Sequence, residues 1–156
     1  MHEKVVYLTA EGKDRFTAEL RQLVTVRRRE IEERIRRAKE FSDAADNAEY
    51  EEAKREQAFV LGRIQELERI LSSARVIEEP TTQAEFVRLG AHIKVADGEG
   101  EEESYYLVGS QEADPRRRLI SNESPIGRAL LGKRVGDEVT VVAPAGAFNL
   151  KILEIS

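Results

Sequence analysis

The sequence predicts an α+β protein, with an N-terminal antiparallel coiled-coil helical hairpin followed by a small α+β domain. Three observations carry that prediction. From Thr9 to Phe41 there is no proline, and apolar residues recur at helical spacing. A second helical pattern runs from about Asn47 to Ser73. Beyond Glu78-Glu79-Pro80-Thr81-Thr82 the period changes to short strands separated by turn residues. The expected organisation is a hairpin over 1–78 with its tip near 42–50, a linker over 79–84, and a second domain over 85–156.

Thr9 reads as the N-cap of the first helix. Its apolar positions are Phe16, Leu20 and Leu23, then Val24, Ile31, Ile35 and Ala38. The step from one register to the other predicts a broad or shifting seam. The second helix carries Ala53, Gln57, Val60, Ile64, Leu67 and Leu71 at alternating spacings of four and three, a coiled-coil seam. Two such helices joined by a short connection fold back on each other, because neither buries its stripe alone. About 30 residues at ~1.5 Å per residue make a rod of roughly 45 Å. Phe41 and Tyr50 flank its tip, where they either pack together to fix the connection or simply end the seam.

In the second half, strands are expected over Val87 to Ala96, Tyr105 to Gly109, Arg118 to Ser121, Val139 to Ala143 and Phe148 to Ile155. One short helix, Pro125 to Leu131, opens with Ser124 as N-cap and Pro125 at the first helical position, and closes at Gly132.

The chain is 40% hydrophobic and 35% charged, a balance that suits an exposed coiled coil burying one stripe. A net charge of -5 argues against a general grip on phosphate backbones, so any contact with nucleic acid is local. The absence of Cys excludes disulfides, thiolate nucleophiles and Cys-based zinc sites; His2 and His92 lie too far apart in sequence to suggest a metal motif. His92 falls in an alternating strand pattern and reads as structural. With no signal-peptide pattern and no apolar run of spanning length, the expectation is a soluble cytoplasmic protein with no membrane partner.

The chemistry-bearing residues concentrate between Phe41 and Tyr50. Asp43 and Asp46 are three residues apart, so they share a side if the turn is helical and converge if it is tight. Two hard oxygen donors suit Mg²⁺, which commonly takes one or two protein carboxylates and keeps several waters. The same spacing also suits one acid capping the second helix while the other is solvated. Arg27, Arg28, Arg29, Arg34, Arg36, Arg37 and Lys39 make the first helix basic towards the tip, with Arg34 and Arg37 candidate contacts to RNA phosphates. The interleaved Glu30, Glu32, Glu33 and Glu40 equally fit a solvated, salt-bridged face. Glu123-Ser124-Pro125 forms an exposed loop whose minimal role is helix capping.

At these residues the sequence resembles a known family. Ser42-Asp43-Ala44-Ala45-Asp46-Asn47-Ala48-Glu49-Tyr50, followed by Ala53-Lys54-Arg55-Glu56-Gln57, resembles the tip signature of the Gre transcript cleavage factors of bacterial RNA polymerase. The run from Ser124-Pro125-Ile126-Gly127-Arg128 through Gly132-Lys133 to Gly136-Asp137 looks like the signature of that family's second domain. Tyr7-Leu8-Thr9, Gly12 and Leu20 also fit, so the match spans the chain.

The resemblance implies a coiled coil inserted through the polymerase secondary channel and an FKBP-like second domain docked at the channel rim. The protein itself is not expected to be an enzyme. In the family, two tip acids help bind the second Mg²⁺ of the polymerase active centre and orient a water, and the polymerase then cuts the 3′ end of backtracked RNA. Those acids fall on Asp43 and Asp46, supported by Phe41, Asn47 and Tyr50; the rim-docking residues fall on Glu123, Ser124 and Pro125. The implied factor is a monomer with no cofactor tightly bound on its own. Ser42, Ala44 and Asp46 stand where the family usually has Gly, Leu and Glu. Two alternatives accompany this reading: a channel-plugging inhibitor of the same architecture, and an FKBP-like prolyl isomerase or chaperone. The isomerase needs an aromatic-lined pocket, for which the second half offers Phe86, Tyr105, Tyr106 and Phe148.

Overall fold

A computed structural model of the chain describes residues 4–40, 48–78 and 84–156. The chain divides into two compact units, one containing Lys13–Ala74 and the other joining Lys4–Gly12 to Arg75–Ser156. The N-terminal segment thus belongs with the C-terminal half.

α1 (Ala10–Gln22), which enters the first unit at Lys13, a π-helical turn (Leu23–Arg27) and α2 (Arg28–Glu40) follow one another without a break, and α3 (Ala48–Ser72) returns beside α2. Ion pairs fix the antiparallel sense, since Glu19 meets Arg63 while Arg27 and Arg34 both meet Glu56. The core is a seam of Ile31, Ile35, Ala53, Val60 and Ile64, against which Leu20, Leu23, Val24 and Tyr50 pack. The π-helical turn accounts for the register step in the sequence. A π-turn admits one extra residue, so the apolar series passes from Leu23 to Val24 and still faces α3. Near the end of α3 the sequence reading needs correction: Ile70 is fully buried, whereas Leu71 is only half-buried. Gln57 is also half-buried, as a polar residue at a seam position tends to be.

In the second unit, β1 (Val6–Leu8) pairs with β2 (Ala74–Val76), and the Ile77 N–H donates to Leu8 O at 2.7 Å. The main sheet contains β3 (His92–Ala96), β4 (Glu102–Val108), β5 (Leu119–Ser121), β6 (Glu138–Ala143) and β7 (Gly146–Ile155) in the order β5-β4-β3-β7-β6. Within this sheet β4 and β5 pair in parallel, and the other neighbours are antiparallel. Its inner face carries Ile93 and Val95, Leu107, Val139 and Val141, and Leu150 and Ile152, all buried. The short helix α4 (Pro125–Leu130) adds Leu130 to this core and packs Ile126 and Ala129 against it.

The strand expected from Val87 to Ala96 begins only at His92. Val87 instead exchanges backbone hydrogen bonds with Gly132 and Lys133, both at 2.8 Å, and Gly90, at φ 90°, turns the chain before the sheet. α4 stops at Leu130, one residue short of the expected end, because Leu131 is already extended and Gly132 takes φ 80°. A side chain at Gly127 would lie 1.9 Å from Ser121 O, so only glycine lets α4 sit this close to the residues after β5.

Candidate functional site

The α2–α3 connection, 41–47, holds Asp43 and Asp46 as well as Phe41 and Asn47, and all four lie outside the described residues. The two helices that carry it are described up to Glu40 and from Ala48. Tyr50 is half-buried against the seam, with the Lys39 ammonium 5.9 Å from its ring centre. It therefore anchors the start of α3 to the end of α2.

The basic face of α2 is extensively paired. Arg34 donates to Glu56 across the hairpin at 2.6 Å, and Arg27 reaches the same carboxylate oxygen at 2.9 Å. Arg37 and Arg36 both engage Glu33, at 3.4 and 2.5 Å. The Arg36 hydrogen bond holds the Glu33 carboxyl below its ordinary range. Arg28 pairs with Glu32 at 3.7 Å. Arg34 is thus half-buried and committed to a partner, while Arg37 remains exposed on the outer surface.

In the second unit, Ser124 performs the capping role expected of it. Its Oγ accepts from the Gly127 N–H at 3.0 Å and donates to Ser121 O at 2.7 Å. That leaves Glu123 and Pro125 as the exposed residues of the loop. Glu123 Oε1 accepts from Lys4 Nζ at 2.6 Å, and this ammonium is the main reason its carboxyl titrates below the usual range. Nothing local in the sequence links Lys4 to Glu123, which lie 119 residues apart.

A second long-range contact was also invisible to sequence reasoning. Thr9 caps α1 as expected, its Oγ1 accepting from the Gly12 N–H at 2.9 Å. In a capping box a glutamate at Gly12's position would bind back to the cap residue's own N–H. Here Glu112, 103 residues away, does so: Oε2 accepts from Thr9 N and Oε1 from the Thr9 hydroxyl, both at 2.6 Å. Glu112 is buried at 7% exposure, and a Cβ on Gly12 would come within 2.0 Å of its Oε1. The glycine makes room for the distant carboxylate, whose charge also suits the positive end of the helix.

The aromatics of the second unit do not converge on one pocket. Tyr106 stacks on His92 with ring centres 4.2 Å apart, and Phe86 lies beside Ala84, Glu85 and Arg88. Tyr105 and Phe148 share a cleft of about 290 Å³ floored by Val95 and Leu150. Burial, with a hydrogen bond to Glu103, pushes the Tyr105 hydroxyl up to about 12. Among the described residues no group of three or more His, Cys, Asp or Glu is arranged to hold a metal ion, and no helix is long and apolar enough to cross a membrane.

The chain thus consists of a charged helical hairpin and a small sheet unit. Residues 6–76 match the family described as transcription elongation factor, N-terminal, and residues 82–156 match transcription elongation factor, GreA/GreB, C-term. The chain is 51% identical over 153 residues to transcription elongation factor GreA of Acetivibrio thermocellus, covering 97% of this chain and 96% of that protein. It is 50% identical to the GreA of Chloroflexus aggregans over 99% of both. Among solved structures it is similar to GreA factor homolog 1 of Thermus thermophilus, with 33% identity, 98% and 99% of the two chains covered and a TM-score of 0.46. The chain belongs to the GreA/GreB family of transcription elongation factors.

Proposed function

We propose that this elongation factor inserts its helical hairpin into the secondary channel of bacterial RNA polymerase and stimulates the polymerase's own cleavage of backtracked RNA. The observation that carries the reading is the position of Asp43 and Asp46 in the connection between α2 and α3, within a chain 51% identical to a GreA factor along almost its whole length. Residues 10–40, helical throughout, span ~45 Å at ~1.5 Å per residue, long enough to carry two acids deep into a partner.

Asp43 and Asp46 supply hard oxygen donors that fit Mg²⁺. The chemistry such an ion supplies when bound is activation of a water and stabilisation of the leaving oxygen in phosphodiester cleavage. The two acids add negative charge where the polymerase shares the ion, Tyr50 steadies the start of α3, and Arg37, exposed and paired with Glu33 at 3.4 Å on its own helix, exchanges that partner for RNA phosphates. Arg34, held by Glu56, serves the hairpin first. Glu123 and Pro125 dock at the channel rim, with Ser124 holding the loop in shape. The factor acts as a monomer in the cytoplasm and itself catalyses nothing.

Stalled, backtracked elongation complexes provide the test. The parental protein should shorten the RNA from its 3′ end, and Asp43→Asn with Asp46→Asn should lower the cleavage rate by about a hundredfold, equivalent to ~2.7 kcal/mol of lost transition-state stabilisation. Polymerase binding should persist. Cleavage at the parental rate by the double variant would sink the assignment of the acids, and inhibition of nucleotide addition without cleavage would make the factor a plug.

A further inference from the structure

The inner face of the main sheet is only partly covered. Residues paired across strands share a face, so the pairs Ile93 with Tyr105, Val95 with Glu103, and Val141 with Phe148 extend the inner face beyond the buried core. α4 packs against β6 and β5. At the uncovered end lies the cleft of about 290 Å³, close to the lower end of the roughly 300–1,000 Å³ usual for ligand sites.

Its floor is apolar, Val95 and Leu150, and its walls are aromatic, Tyr105 and Phe148. Its rim is acidic: Asp97, Glu101 and Glu103. Phe148 is 43% exposed, although it stands on the same face as the buried Val141 and Leu150. Glu103 accepts from the Tyr105 hydroxyl, which fixes the carboxylate beside the ring. The rim already holds one guanidinium from its own chain, since Arg118 Nη1 lies 3.2 Å from Glu103 Oε2. Asp97 Oδ1 is occupied by the N–H groups of Glu99 and Glu101, at 2.8 and 2.9 Å, which shapes the rim turn. The Glu101 carboxylate makes no ion pair among the described residues.

We propose that this cleft receives an arginine side chain presented by a partner protein. An alkyl stem suits the Val95 and Leu150 floor, a planar guanidinium stacks on Tyr105 or Phe148, and its forked donors match the carboxylate of Glu101. Lysine lacks the plane for stacking, a neutral side chain gains nothing from the three rim carboxylates, and an acidic one is repelled by them, since among the described residues Glu103 alone of the three has an ion-pair partner, Arg118. The size fits one side chain rather than an inserted element. This site is separate from the hairpin acids and does not depend on the cleavage reading.

Amide chemical shifts of the full chain, followed while acetyl-Gly-Arg-Gly-amide is added, test the proposal. Saturable shifts should centre on Val95, Glu103, Tyr105 and Leu150. The citrulline counterpart, neutral but of the same shape, should bind at least about tenfold more weakly, and an acetyl-Gly-Pro-Gly-amide should bind no better than citrulline. Glu101→Gln, at an exposed position that leaves the fold intact, should weaken the arginine peptide about threefold, and Phe148→Ser about tenfold. The proposal fails if no shifts occur, if they map elsewhere, if citrulline or proline peptides bind equally well, or if neither variant changes the affinity.

Discussion

The hairpin and the sheet unit solve burial differently. Each helix of the hairpin has its apolar stripe against one neighbour, so the core is a single row from Ile31 and Ile35 to Val60 and Ile64, edged by ion pairs. The sheet unit buries a broad inner face, with α4 and the segment around Val87 and Ala91 packed on it. A row offers no alternative packing when one member changes, whereas a face can redistribute. The hairpin therefore combines an unforgiving seam with a surface tolerant of charge, which leaves its long outer faces free for contact with a partner.

The largest expected effect comes from breaking the seam. Leu67 is fully buried on α3, and Leu67→Asp should destabilise the hairpin by at least about 3 kcal/mol, because it takes a carboxylate out of water into the place of an apolar side chain. Loss of helical circular dichroism, with Leu67→Met costing less than about 1.5 kcal/mol, is the expected pattern. A fully helical, stable Asp variant would show that the seam is less exacting than a single row implies.

An intermediate effect is expected in the sheet unit, where Glu112 satisfies Thr9. Glu112→Ala leaves the Thr9 N–H and hydroxyl without that acceptor and should cost about 1–3 kcal/mol in urea unfolding. In a double-mutant cycle, Thr9→Ala and Glu112→Ala should be strongly non-additive, as groups sharing one hydrogen-bonded cluster are. Simple additivity would mean that the two residues act independently.

The smallest effect should come from the edge of the hairpin seam. Arg63 binds Glu19 through two hydrogen bonds, at 2.7 and 3.0 Å, with both side chains about a third exposed. Arg63→Ala should cost about 0.2–1 kcal/mol, a loss that shrinks as salt screens the pair. A larger, salt-independent loss would assign Arg63 a packing role, consistent with its guanidinium 5.9 Å from the Phe16 ring centre.

Much of this architecture is legible in residue order because its causes are local. Helical period marks α2 and α3, the Leu23-to-Val24 step marks the place where a π-turn restores the seam, and Thr9 and Ser124 cap the helices they precede. The family signature around Asp43 and Asp46 is equally local, as is the loop Glu123-Ser124-Pro125. At the end of α3 ideal spacing points to Leu71, whereas packing buries Ile70 instead.

Other features required the folded chain. The strand order β5-β4-β3-β7-β6, with one parallel pair, follows from long-range pairing that short apolar runs do not specify. The short β1 and β2 are too brief to stand out by period, and they form because each supplies the other's hydrogen bonds. Lys4 meets Glu123 and Thr9 meets Glu112 only after distant segments are brought together. By itself the sequence determined where helices, turns and acids lie, because spacing, caps and backbone preferences act over a few residues. Tertiary structure decided which carboxylate completes the Thr9 cap and which aromatics share a cleft, because such choices depend on packing between residues that the chain holds far apart.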